Sequence, residues 1–133
     1  MNARPHQAGE TGRDRGSAAV SIAIVFPAVA LLFLALVQAV MVSVAQDVAL
    51  AAAEEGLRVA RAHRGTHAQG HIAAAGFARR EPVLLSPVVT VSGTTTIAVR
   101  VAGHAPSVLP GMRIAVTQTA RGARERFTTP RQP

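Results

Sequence analysis

The sequence predicts an α+β protein: a long N-terminal transmembrane helix extends into a small domain with a short second helix and a three-stranded antiparallel sheet. Residues 17–45 contain no charged side chain, and residues 22–37 are wholly apolar. Small and apolar residues then recur at helical spacing as far as Arg61. Beyond Val88, Val and Ile alternate with polar or small residues in short runs bounded by Gly and Pro, the pattern of strands with one covered face.

The helix comes first because its signal is the strongest. At about 1.5 Å per residue, ~20 residues cross the hydrocarbon core, so the uncharged stretch has turns to spare. Residues 1–16 are polar and carry Arg4, Arg13 and Arg15 with the breakers Pro5, Gly9 and Gly12, which predicts a leader peptide without secondary structure. A secretory signal peptide has an apolar region of about 7–15 residues. The run here is about twice that and continues as helix, so one helix is expected from about residue 17 to 63. Residues 17–45 are its transmembrane part, and residues 46–80 form an extracytoplasmic extension and connector. Glu54 and Arg58, four apart, are placed to pair on the extension. Arg residues flank the span on both sides, Arg58, Arg61 and Arg64 following it. The short head and long tail favour a cytoplasmic N-terminus.

Within the span, Pro27 removes a backbone donor and is expected to kink or loosen the helix, either as a hinge or as a tolerated transmembrane proline. Gln38 can bond to a neighbouring helix or lie at the far headgroups. Ala18, Ala19, Ala23, Ala28 and Ala35 would permit close approach of another helix.

The remainder reads as a small β-unit over residues 81–121 followed by a polar tail, 122–133. A second helix is expected over residues 72–79, stopped before Pro82. Strands are expected at 88–91 and 96–102, joined across Ser92, Gly93 and Thr94, and a third carries Met112, Ile114 and Val116. Ile97, Val99 and Val101 should form the covered face, with the exported half of the long helix over them.

Composition excludes several functions. The chain has 133 residues, four Phe, no Tyr and no Trp, so the side chains that usually dominate a core are scarce and a deep substrate pocket is not expected. The absence of cysteine excludes disulfides, thiolate catalysis and Cys-type zinc sites. His63, His67 and His71 would share one side of a helix, but Gly65 and Gly70 interrupt them and no carboxylate stands among them, so a solvated connector is the better reading. Seven acids are scattered through the chain without a Ser-His-Asp set, an acid pair or a phosphate loop. No enzymatic activity, cofactor or metal is expected.

The stretch RGSAAVSIAIVFPAVALLFLALVQ (Arg15 to Gln38) followed by AAAEEGLRVARA (Ala51 to Ala62) resembles the TadE-like family. These are the minor pilins, or pseudopilins, of tight-adherence (Flp-type) pilus systems. The tail VRVAGHAPSVLPGMRIAVTQTARGARERF is similar to the end of actinobacterial members, so the resemblance runs from about Arg15 to Phe127. It implies cleavage by a prepilin peptidase between Gly16 and Ser17, a helix proline at Pro27, a later family segment matched by Glu55, Gly56 and Arg58, and partner contacts at Glu55 and Arg58. It also implies packing against other pilin-like subunits through the membrane helix, docking on the Tad inner-membrane platform, and a place in a surface pilus or secretion apparatus. The family's usual Glu, five residues after the cut, is Ser21 here, a hydrogen-bonding group in place of a charge.

Two other accounts stand beside this one. The chain could be an uncleaved single-pass envelope-anchored accessory module. Alternatively, Arg113, Arg121, Arg124, Arg126 and Arg131, opposed by Glu125 alone, could bind an anionic polymer. Without interleaved aromatics, sequence-specific nucleic-acid recognition is not expected.

Overall fold

The computed structural model describes the backbone of residues 11–125 and the side chains from residue 16 onward. The elements are α1 (Thr11–Arg61), α2 (His67–Arg80), β1 (Leu85–Ser92), β2 (Thr96–Ala105) and β3 (Ile114–Ala123). The architecture is thus the expected α+β, with a long apolar helix, a short helix and a three-stranded antiparallel sheet. The chain divides into two compact units, Met1–Val37 and Gln38–Pro133.

In the first unit α1 carries bulky apolar side chains on every side. Ile22, Phe26, Leu32 and Phe33 keep 66–71% of their surface exposed, so no single face of this stretch is the apolar one. This is a helix long and apolar enough to cross a membrane, with a mean hydropathy of 2.9 over its most apolar window and none of that window buried. It begins earlier than the sequence indicates: residues 11–16, read as part of an unstructured leader, are helical. The breakers Pro5 and Gly9 precede Thr11, and extending an existing helix needs no new nucleus. Gly12 and Gly16 cost only about 1 kcal/mol each against Ala. The leader's first ten residues lie outside the described residues. The helix passes Pro27 without a break in helical structure.

In the second unit the remaining turns of α1 present a stripe of small side chains. Ala45, Ala49, Ala52, Ala53, Leu57 and Ala60 are buried at three- and four-residue intervals, so one face of the helix is smooth and can approach its neighbours closely. That face covers the sheet, as expected, and α2 packs on β1 and β2 beside it. The sheet order is β1-β2-β3, with Val91 opposite Val99 and Val99 opposite Ala120. Ile97, Val99 and Val101 are the largest fully buried side chains, and Val89, Val116 and Ala120 complete the covered face. Thr90, Arg100 and Thr119 form one row across the exposed face.

The crossing of α1 and α2 depends on two glycines. A Cβ on Gly56 would lie 2.7 Å from the Ala74 Cβ and 2.8 Å from the Gly70 carbonyl oxygen. A Cβ on Gly70 would lie 2.6 Å from the Ala60 Cβ and 2.8 Å from the Gly56 carbonyl oxygen. No side chain fits on either. Gly70, read in the sequence as an interruption, is therefore inside α2, which starts at His67 where residue 72 was expected. Its start is set by a capping box in which the Thr66 hydroxyl accepts from the Gln69 amide and the Gln69 side chain accepts from the Thr66 amide.

The strands are longer than the alternation indicates. β1 starts at Leu85, with an irregular register between Leu85 and Val88 around Pro87, which lacks a donor and is tolerated on an edge strand. β2 continues through Gly103 to Ala105, because its ladder partners extend that far. β3 runs to Ala123 through the pairs Ile97–Gly122 and Thr96–Ala123, so the polar tail begins two residues later than expected. Met112 precedes this strand and belongs to the β2–β3 loop. Gly93, at φ +97, makes the β1–β2 turn; a Cβ there would strike the Thr96 carbonyl.

Candidate functional site

Gln38 is the first residue of the second unit and follows directly on the wholly apolar run. Its Nε2 donates to the Pro106 carbonyl oxygen at 3.1 Å, and its Oε1 accepts from the Val108 amide at 2.9 Å. Both ends of one side-chain amide therefore hold the β2–β3 loop, residues 106–113, to α1. The sequence offered Gln38 a neighbouring helix or the headgroups. The structure gives it partners in its own chain instead, about 70 positions away, where spacing rules do not reach.

The loop is itself a built turn. The Leu109 amide donates to Ser107 Oγ at 3.1 Å, the Met112 amide donates to the Leu109 carbonyl at 3.4 Å, and Gly111 takes φ +81. Pro106 and Pro110 bring no amide hydrogen. This arrangement leaves Leu109 and Met112 each 49% exposed. They line a shallow cleft with Leu85, His104 and Arg113 at this end of the sheet. Sequence reading found the loop from its Pro and Gly residues but passed over Leu109 inside it and assigned Met112 to the third strand, so the two apolar side chains were not read together.

The other expected site residues fall in separate places. Gly16, Ser17, Ser21 and Pro27 lie exposed on the helix of the first unit. A Cβ on Gly16 would meet nothing, and Ser21 borders a shallow apolar groove with Ile22, Val25, Phe26 and Val29. In the second unit Arg58 pairs with Glu55 and not with Glu54 as expected. Arg58 Nε donates to Glu55 Oε2 at 2.9 Å and its second nitrogen to Oε1 at 2.7 Å. This two-pronged hydrogen bond holds the Glu55 carboxyl below its ordinary pKa against the opposing effect of burial, with attraction to Arg58 and then Arg80 adding to it. The pair is solvated and available to a partner.

The histidines do not form one row. α1 ends at Arg61, so His63 sits in the turn while His67 and His71 belong to α2. Among the described residues no three His, Asp or Glu side chains come together as metal ligands. The arginines of the C-terminal part are likewise dispersed. Arg113 precedes β3 and Arg121 lies near its end, roughly 26 Å along the strand. Arg124 donates to the Gly65 carbonyl at 2.7 Å, and Glu125 lies 3.9 Å from Arg61. Arg126 and Arg131 lie outside the described residues. Comparison with known proteins returns no matching family model, no matching curated protein and no matching solved structure.

Chemically, the second unit offers three things: a hydrogen-bonded fastening at Gln38, a shallow cleft of mixed polar and apolar lining beside it, and a solvated ion pair on α1.

Proposed function

We propose that this chain is a structural subunit of the minor-pilin or pseudopilin type, a TadE-like component of a tight-adherence pilus or secretion apparatus. One observation carries the reading. A single helix supplies bulky, uncovered apolar side chains along residues 20–36 and then a smooth alanine stripe beneath a small antiparallel sheet. Such a chain has a segment for lipid or for other apolar helices and a compact head to display. In this account the N-terminus is cytoplasmic, the head is outside, and the helix packs with other pilin-like subunits on the Tad platform. Glu55 and Arg58 are offered at the head's surface.

Processing tests it. A peptidase needs backbone that can leave the helix at the cut, and Gly16 is the weakest helix former near the junction, with nothing packed over it. Mass analysis of the N-terminal peptide from membrane-extracted protein is expected to begin at Ser17 when the prepilin peptidase is present. Gly16→Val should retain the leader. Recovery of the leader on the native protein with an active peptidase would defeat the pilin account. It would favour the uncleaved anchored module, the reading that the unbroken helix across residues 16 and 17 supports.

A further inference from the structure

We propose that the β2–β3 loop, residues 106–113, is a membrane foot: Leu109, Pro110 and Met112 seat in the interfacial layer of the bilayer that α1 crosses, and Arg113 meets lipid phosphate. The proposal rests on the reading of α1 as a membrane span and adds a second lipid contact to it.

The position of the loop along α1 is the first argument. The sequence places the span at residues 17–45, but Ala45 is buried in the second unit, so the uncovered part is 17–37, which rises by about 31 Å, the thickness of a hydrocarbon core. Gln38 is the next residue, and the loop is hydrogen-bonded to it. The first charge after the uncharged stretch is Asp47, about 14 Å further along the helix. The loop is thus fastened where the helix leaves the core, well on the lipid side of the first charged turn. The interfacial layer is only several ångströms deep, so a loop held at Gln38 lies within it.

The chemistry of the loop is the second argument. Exposed backbone is costly where water is scarce unless its polar groups have partners. Gln38 satisfies the Pro106 carbonyl and the Val108 amide, Ser107 takes the Leu109 amide, Leu109 takes that of Met112, and two positions are proline. A loop so provided can leave water. Leu109 and Met112 are then half exposed for no gain in an aqueous setting. Arg113, at the loop's end, has a long stem that suits apolar surroundings and a head that binds phosphate.

The chain lacks cysteine, so single Cys probes are unambiguous. The full chain would be reconstituted in vesicles of phosphatidylcholine and phosphatidylglycerol and labelled, one site at a time, with an environment-sensitive fluorophore. The sites are Leu109→Cys, Met112→Cys, Val29→Cys in the span, and Thr94→Cys at the far hairpin, roughly 30 Å along β2. The expected result is blue-shifted emission at Leu109 and Met112, lost to lipids spin-labelled near the headgroup. Val29 should be quenched by deep spin labels, and Thr94 only by aqueous quencher. With Val29 quenched, a water-like Leu109 and Met112 overturn the foot while leaving the span intact. An unquenched Val29 overturns the span and the foot with it. Shielding at Leu109 that ignores lipid spin labels and disappears on dilution with empty lipid assigns the surface to a second copy and overturns the foot as well.

Discussion

The two parts of α1 are both helical, both nearly free of charge through residue 46, and opposite in what they do with side-chain size. Along residues 20–36 the large side chains point everywhere and none is covered. From Gln38 onward the large ones give way to alanine and glycine on one face, and that face is buried to the last few per cent. Apolarity alone does not distinguish these uses. A helix in lipid gains from bulk in all directions, whereas a helix under a three-stranded sheet gains from letting backbones come close. With cores built of Ala and Val, closeness is the available source of dispersion energy.

The contrast can be broken most severely in the first unit. Replacing Val29 and Leu32 together by Arg is expected to raise the cost of membrane insertion by about 6 kcal/mol, moving the chain into the soluble fraction after alkaline carbonate washing. Leu50→Arg, on an exposed position of the second unit, should leave it in the pellet. A double variant that pellets like the native chain would remove lipid as the solvent of residues 20–36. Next in size is the glycine comparison. Gly56→Val, driven into Ala74 and the Gly70 backbone, should destabilise the domain by about 3 kcal/mol in urea unfolding followed in detergent. Gly16→Val should move stability by no more than about 0.5 kcal/mol, since nothing lies near it. Equal effects at the two positions would show that helix propensity, and not the crossing, decides. The smallest effect is expected at the junction. Gln38→Leu leaves the Pro106 carbonyl and Val108 amide unpaired and should cost about 1–2 kcal/mol, with faster amide exchange at Val108 as its signature. Unchanged exchange there would mean that the loop does not depend on the clamp.

Much of the fold was legible in the sequence, and the particular failures share a cause. The long apolar run, the alternation of Ile97, Val99 and Val101, and the turn at Gly93 are local signals, and each appears where expected. Gly70 was read as a helix breaker because propensity is local, while its reason for being glycine is Gly56 on another helix. Gln38 was offered only local or intermolecular partners because its true ones lie in a loop far along the chain. Arg58 was paired with Glu54 because the four-residue offset is the usual one on a helix, whereas its two-pronged bond goes to Glu55, three residues back. β1 was cut short at Val88 because Pro87 is a breaker in the interior of a sheet and acceptable on its edge. The cleavage and partner residues rest on the resemblance alone, and the junction site was hidden because Leu109 sat in a segment classed by its prolines while Met112 was assigned to the following strand.

The sheet order, in which every strand lies beside its neighbour in sequence, has a consequence for time. Hairpins closed by short loops form early, since closing entropy rises only with the logarithm of loop length and reward follows at once. The five-residue turn between α1 and α2 likewise lets Gly70 find Gly56 early. Tying the β2–β3 loop to Gln38 spans some 70 positions, and it becomes cheap only after the strands between have shortened the path. Loop closure alone therefore favours closing the head on α1 from Arg61 backward, with the turn at Gln38 covered last.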